Sequence, residues 1–129
     1  MNREIMPSTI APPAANYAHA VLSEHPRQLL HVSGVVAVRP DGTIPDEVAD
    51  QAAVIWFNIR AILAEAEMAI NDIVSVTTYV VVDFMANLPD VMAARDQALD
   101  THRAASTLVT VPALARPAWK MEIAIVAAH

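Results

Sequence analysis

Apolar residues recur with a helical period in the middle of the chain. They lie four and three residues apart, and so share one face of a helix about five turns long: Val48, Ala52, Ile55, Ile59, Ile62 and Ala66. Just ahead of this run, Pro45, Asp46 and Glu47 suit a first helical turn, because proline fixes φ and acidic side chains complement the helix dipole. This pattern predicts the first helix.

A second helical pattern follows Asn87, which is a good N-cap residue. Pro89 and Asp90 suit its first turn, and one side of this helix then carries Leu88, Val91, Arg95 and Leu99. Its apolar stripe is weaker than that of the first helix.

Three segments in the second half of the chain have the composition of β-strands. β-branched residues dominate "DIVSVTTYVVVD" from Ile73 to Val82, and their near-continuous hydrophobicity predicts a strand covered on both faces. Two strands close the chain, "STLVTV" near 106–111 and "WKMEIAIVA" near 119–127, joined by the loop "PALARPA".

The first 44 residues contain the other predicted strands. Residues 1–16 are rich in proline and alanine, which indicates an arm or a short edge strand. From Tyr17 to Val38 the apolar stretches "YAHAVL" and "LLHVSGVVAV" flank "SEHPRQ", a connection of hairpin length, and predict a β-hairpin. Asp41-Gly42 is a strong turn signal.

The predicted order β-β-α-β-α-β-β favours an α+β fold, with two helices packed on one face of a mixed sheet. A chain of 129 residues has the length of one domain, so we expect a single domain over 1–129 with 1–16 as its N-terminal arm.

The composition is unusually apolar for a chain of this size. Hydrophobic residues make up 55% of the sequence, and the mean hydropathy is +0.37. No apolar run reaches the roughly 18 to 20 residues that cross a bilayer. We therefore expect no membrane partner, and we expect a homo-oligomer that buries apolar surface between identical subunits.

Charge and cysteine content exclude several classes of function. A net charge of −6 disfavours nucleic acid as a partner, since phosphate binding needs a basic surface. The chain has no cysteine, which excludes a disulfide framework and a thiol nucleophile. Its start, "MNREIMPSTIAPP", lacks the pattern of a signal peptide, so we expect a cytoplasmic protein. The five histidines lack the short spacing of metal ligands, so no metal is expected. No glycine-rich phosphate loop occurs, so the sequence gives no support for nucleotide binding.

Glu122 is the most unusual candidate for chemistry, because it interrupts the apolar strand "KMEIAIVAAH". In a strand it shares a face with Ala124 and Val126, and both faces are apolar. Desolvation raises the pKa of such a carboxyl towards the range that is useful for proton transfer. The alternative is a structural ion pair with Lys120 or with an arginine of a neighbouring subunit.

Other candidates have stronger structural alternatives. Ser33 and Gly34 interrupt a strand, which marks either a place where a ligand approaches the backbone or a simple bulge. Tyr17 either presents its hydroxyl to a pocket or packs as an aromatic residue in the core or at an interface. Arg103 and Arg116 flank the fourth strand region and either bind a carboxylate or remain solvated.

Three sequence landmarks together resemble the Rid (reactive intermediate deaminase) proteins, also called the YjgF family. They are "YAHAV", "VSGVVAVRPDGTIP" leading into "QAAVIWFNIRAILAEA", and "ASTLVTVPALARPAWKMEIAIVA", and the likeness spans roughly 17–127. The resemblance implies a chorismate-mutase-like fold and a homotrimer with clefts at its subunit interfaces. It also implies hydrolysis of an imino or enamine acid to an oxo acid and ammonia, with no cofactor.

The resemblance assigns roles to individual positions. Glu122 matches the acidic residue that activates the attacking water. Ser33 and Gly34 match the "SG" element that lines the pocket, Tyr17 matches a pocket tyrosine, and Thr107 matches a position whose backbone faces the ligand.

One position departs from the imine-deaminating pattern. There an arginine precedes the serine of the fourth strand and binds the substrate carboxylate, whereas this chain has Ala105, in "AASTL". The chain therefore resembles an arginine-less branch, some members of which deaminate 2-aminomuconate-like acids, and Arg116 or Arg103 is the candidate replacement. The alternative function is a non-catalytic trimer that binds small carboxylic metabolites or acts through protein contacts. The endoribonuclease label carried by some relatives fits poorly with the net charge of −6.

Overall fold

Six strands and two helices follow one another in the computed structural model, which describes residues 1–129. The strands are β1 (Asn2–Ile5), β2 (Ala20–Ser23), β3 (Leu29–Val35), β4 (Ile73–Val81), β5 (Ala105–Val111) and β6 (Met121–Ala128). The helices are α1 (Val48–Glu65) and α2 (Leu88–Leu99). Short 3₁₀ segments lead into β4 and into α2.

Four of the strands form one mixed sheet in the order β3-β6-β4-β5. β6 runs antiparallel to both of its neighbours, and β4 runs parallel to β5. Both helices pack on one face of this sheet over a shared hydrophobic core. The predicted α+β architecture, with two helices on one face of a mixed sheet, is confirmed.

The predicted hairpin between Tyr17 and Val38 is wrong. β2 pairs with β1, where Ile5 lies opposite Ala20, and β3 pairs with β6, where His31 lies opposite Val126. β6 lies inside the sheet and needs a partner strand along both of its edges for its backbone groups. β3 pairs along one of these edges, although the two strands are far apart in sequence. The local sequence pattern of β2 and β3 contains no information about this long-range pairing.

The boundaries of α1 differ slightly from the prediction. The helix begins at Val48 with Glu47 as an extended N-cap, so the three residues from Pro45 precede the helix instead of forming its first turn. Leu63 is buried, whereas Ile62 is 36% exposed. The helical period places the next buried residue either three or four positions after Ile59. Because the sheet lies on the side of Leu63, the buried residue is the one four positions on.

Two other predicted boundaries can be compared. α2 begins directly after Asn87, as predicted, although the Asn87 amide donates to the Asp90 carboxylate and does not cap the backbone. β6 begins at Met121, two residues later than expected. The Trp119 N–H donates to the carbonyl of Arg116 within a turn, which keeps this residue out of the sheet.

The predicted turn at Asp41-Gly42 is present, and Gly42 has a φ of 86°. The backbone N–H of Thr43 and its hydroxyl donate to the Asp41 carboxylate at 3.0 and 2.7 Å. These two hydrogen bonds, the backbone one first, hold the pKa of Asp41 below its usual value. No helix of the fold is long and apolar enough to cross a bilayer.

Gln51 connects α1 to the loop that enters β6. Its side chain is buried, and its amide nitrogen donates to the carbonyls of Pro45 and Ala118 at 2.8 and 2.9 Å. Its oxygen accepts the backbone N–H of Lys120 at 3.1 Å. This one side chain satisfies three backbone groups and so fixes the position at which β6 begins.

We expect Gln51→Ala to lower the free energy of unfolding by about 2 to 4 kcal/mol, because it leaves buried backbone groups without partners. Urea unfolding at a fixed protein concentration measures the change. Glu65→Ala, at an exposed position of the same helix, is the control and is expected to cost less than about 0.5 kcal/mol. A cost for Gln51→Ala as small as that of the control would contradict this role.

Candidate functional site

Glu122 lies on the sheet face opposite the helices. Along β6 the buried residues Met121, Ile123 and Ile125 alternate with partly buried ones, so that Glu122 and Ala124 point away from the core. We call this face the open face of the sheet. The prediction that the strand from Ile73 is covered on both faces is met on one face only within the single chain, since Ser75, Thr77 and Tyr79 of β4 are partly exposed.

Gly34 gives the Glu122 side chain its position. β3 is irregular between Val32 and Val35, and Gly34 lies in this bulge beside β6. A Cβ atom on Gly34 would lie 2.5 Å from Cδ of Glu122 and 2.8 Å from its Oε1. The carboxylate therefore occupies the space that any other residue at position 34 would fill, and the structure brings Gly34 and Glu122 together.

The proposed ion pair between Glu122 and Lys120 is absent. The Lys120 ammonium donates to the carbonyl of Asp46 and lies 4.8 Å from the ring centroid of Phe84. The Glu122 carboxylate has no hydrogen-bond or ion-pair partner within the chain. A carboxylate without a protein partner on an open surface is free to bind water or a ligand.

Tyr17 and Thr107 lie at the other side of the sheet. Tyr17 precedes Ala18, which bridges to Ala105 at the start of β5. Thr107 is exposed in β5 and pairs with Thr77 of β4, which in turn pairs with a residue of β6. Neighbouring strands are about 4.8 Å apart, so Thr107 lies about 10 Å from the backbone of β6. One chain therefore does not bring these two residues to Glu122.

The two candidate arginines have other partners. Arg103 forms a salt bridge with Glu4 of β1 at 2.7 Å. The guanidinium of Arg116 lies 5.6 Å from the ring centroid of Trp119, in the loop between β5 and β6. Within one chain, neither arginine contacts Glu122.

The sequence reasoning missed Tyr79, which lies directly opposite Glu122 in the antiparallel pair of β4 and β6. Residues paired in this way project from the same face. The β-branched run around Tyr79 predicted the strand, but the register between two strands more than 40 residues apart has no local sequence signal. Elsewhere, no group of three or more His, Asp or Glu side chains is placed to hold a metal ion.

Comparisons with known proteins agree with this architecture. A protein-family model described as Endoribonuclease L-PSP matches residues 8–129. No curated protein sequence matches the chain. The solved structure of YyfB from Yersinia pestis, a protein of unknown function of the Rid family, is 29% identical, with a TM-score of 0.88 over 99% of this chain and 98% of that one.

Two further solved structures are similar. E. coli TdcF, solved with bound serine, is 25% identical, with a TM-score of 0.72 over 98% of this chain and 99% of that one. Yeast Mmf1 is 24% identical, with a TM-score of 0.72 over 100% of this chain and 99% of that one, and shows a likeness of fold alone.

The contact between Gly34 and Glu122 predicts a coupling between the two positions. We expect Gly34→Ala to cost about 1 to 2 kcal/mol in the free energy of unfolding, because the new methyl group displaces the Glu122 side chain. In a Glu122→Ala background the same change is expected to be neutral or slightly stabilising. Urea unfolding of the four proteins of this double-mutant cycle measures the coupling, and equal costs in both backgrounds would contradict it.

Proposed function

Because the chain belongs to the Endoribonuclease L-PSP family, in which its Rid relatives also fall, we propose that it is a Rid-type deaminase. The proposed reaction hydrolyses a reactive imino or enamine acid to an oxo acid and ammonia. The observation that carries the proposal is the Glu122 carboxylate, which lies unpaired and partly buried on the open face above Gly34. We also propose the cytoplasmic location expected from the sequence.

In the proposed mechanism Glu122 is the general base. Its carboxylate accepts a proton from a water molecule while the water oxygen bonds to the carbon of the C=N group. The substrate reacts as the protonated imine, so the electron pair of the C=N π bond moves to nitrogen and leaves a neutral amine. Glu122 gives its proton to this amine, and then accepts the proton of the new hydroxyl group as the carbonyl forms and the C–N bond breaks. Ammonia takes up that proton from Glu122 and leaves as ammonium, which returns the carboxylate to its starting state.

The proposed assembly is a homotrimer with its clefts at the subunit interfaces. Two observations support it. The open face contains exposed apolar side chains, including Val109 at 41% and Leu29 at 57% exposure, which a second subunit would cover. The site residues also form two separate groups in one chain, with Glu122 beside Gly34 and Tyr17 near the start of β5. A neighbouring subunit that supplies the second group would complete the cleft.

The substrate-binding residues of the proposed site are Ser33 and Gly34 beside the base, together with Tyr17, Thr107 and Arg116. Gly34 is adjacent to Glu122 and Ser33 precedes it in the chain, whereas the other three require the assembly. Arg116 lies in an exposed loop, where a subunit contact or a bound acid can reach it.

A 2-aminomuconate-like acid is the proposed substrate class. Ala105 stands where the imine-deaminating branch has its carboxylate-binding arginine. The same residue favours a second candidate function, a non-catalytic trimer that binds small carboxylic metabolites in the same clefts. This alternative predicts that 2-oxobutyrate binds, with a measurable heat in a calorimetric titration, while no imine or enamine acid is turned over.

Glu122→Gln is expected to reduce ammonia release by about 10²-fold to 10⁴-fold, because the amide cannot accept the proton of water. Imines are generated in situ from several amino acids with an amino-acid oxidase, and 2-aminomuconate is supplied as a separate substrate.

The matched control for this assay is Glu65→Gln, which neutralises an exposed carboxylate at the end of α1 and is expected to keep the wild-type rate. If no substrate is hydrolysed faster by the wild type than by Glu122→Gln, the deaminase proposal fails.

For the assembly, we expect a mass in solution of about three times the 13.9 kDa of one chain, measured by light scattering. Ala124→Arg on the open face is expected to dissociate the trimer, because it places an unpaired charge in the subunit interface. Ala93→Arg, at an exposed position of α2, is expected to leave the mass unchanged. A monomeric wild type would exclude the shared cleft.

A further inference from the structure

We propose that the Tyr79 hydroxyl is a substrate-binding group of the Glu122 site, where it donates a hydrogen bond to the carboxylate of a small 2-oxo or 2-imino acid. This inference rests on the proposed function for the position of the reacting acid. The juxtaposition that carries it is the direct pairing of Tyr79 with Glu122 across β4 and β6.

Tyr79 and Glu122 project from the same face of the sheet. The residues on either side of Tyr79 in β4, Thr78 and Val80, are buried against the helices, which leaves Tyr79 pointing to the open face. Side chains of directly opposed residues in an antiparallel pair have Cβ atoms about 5 Å apart. The Glu122 carboxylate leans over Gly34 towards β3, whereas Tyr79 belongs to the strand on the other side. The Glu122 carboxylate and the Tyr79 side chain therefore lie towards opposite sides of β6, on the same face of the sheet.

Neither oxygen-bearing group has a protein partner. The Tyr79 hydroxyl makes no hydrogen bond within the chain, in contrast to the Tyr17 hydroxyl, which accepts the N–H of Ala14 at 3.2 Å. The buried side-chain nitrogen and oxygen atoms without partners belong to Trp56 and Trp119 alone. The unpaired phenol and carboxylate oxygens are consequently accessible from the open face, where a ligand can reach both.

The chemistry of the pair suits an anionic ligand. A phenol is neutral near pH 7 and donates a hydrogen bond without adding charge. The Glu122 carboxylate repels the carboxylate of an acid substrate, so the substrate needs a donor that holds its anionic end away from the base. Ala105 supplies no such donor, and Arg103 is paired with Glu4. Within one chain Arg116 lies against the Trp119 ring and does not contact Glu122. Tyr79 provides the donor on the strand adjacent to the base.

The test is a calorimetric titration of wild type and Tyr79→Phe with 2-oxobutyrate, which measures binding whether or not the protein is a deaminase. Tyr79→Phe keeps the ring and removes only the hydroxyl. Its dissociation constant is expected to rise roughly tenfold, the effect of losing a hydrogen bond to a charged group. With a substrate that the wild type hydrolyses, KM is expected to rise while kcat changes less than about twofold.

Two further variants test whether the hydroxyl of Tyr79 itself contacts the ligand. Thr78→Val removes a hydroxyl from the same strand on the helix face and is expected to bind 2-oxobutyrate as the wild type does. In a Glu122→Gln background the weakening caused by Tyr79→Phe is expected to persist, because the hydroxyl contacts the ligand and not the base.

The outcomes separate the two proposals. A dissociation constant for Tyr79→Phe within twofold of wild type overturns the role of Tyr79, as does a wild type that gives no heat. Loss of the effect in the Glu122→Gln background overturns it too, since the hydroxyl would then act through the base. If the weakening is present but no substrate is turned over, the binding role of Tyr79 stands and only the deaminase proposal fails.

Discussion

The pairing of β6 with both β3 and β4 is the constraint on which the rest of the structure depends. Its alternate side chains, Met121, Ile123 and Ile125, anchor the sheet to the helices. The same alternation leaves Glu122 on the other face. Because β6 is central, it also determines what lies beside the carboxylate, a glycine on one neighbouring strand and a tyrosine on the other. The core residues of β6 and its candidate site residue therefore lie on opposite faces of the same strand.

The sequence predicted the elements of this fold better than their pairing. The helices and the strands from β4 onwards have strong local patterns, and the prediction placed them within a few residues of their observed bounds. The hairpin failed because strand partners are chosen by non-local competition for the edges of β6. The boundary of β6 was missed for a related reason, since the side chain of Gln51, from α1, satisfies the backbone of Lys120.

The candidate site, too, was predictable where the signal is local and unpredictable where it depends on strand pairing or on a neighbouring subunit. Glu122 stood out because a carboxylate in an apolar run is conspicuous in any sequence, and Ser33 and Gly34 stood out because they interrupt a strand. Tyr79 gave no such signal, because an aromatic residue in a β-branched strand is ordinary. Its relevance comes only from the residue it faces. The separation of Tyr17 from Glu122 was likewise invisible, since no sequence pattern says which residues of a cleft come from one chain and which from its neighbour.

The close approach of the Glu122 side chain to Gly34 limits how such a site can diversify. Position 34 has no room for a side chain while the carboxylate is in place, so changes of ligand preference cannot be made there without moving the base. Substitutions that change the ligand preference without moving the base therefore have to lie elsewhere in the site, and not at position 34.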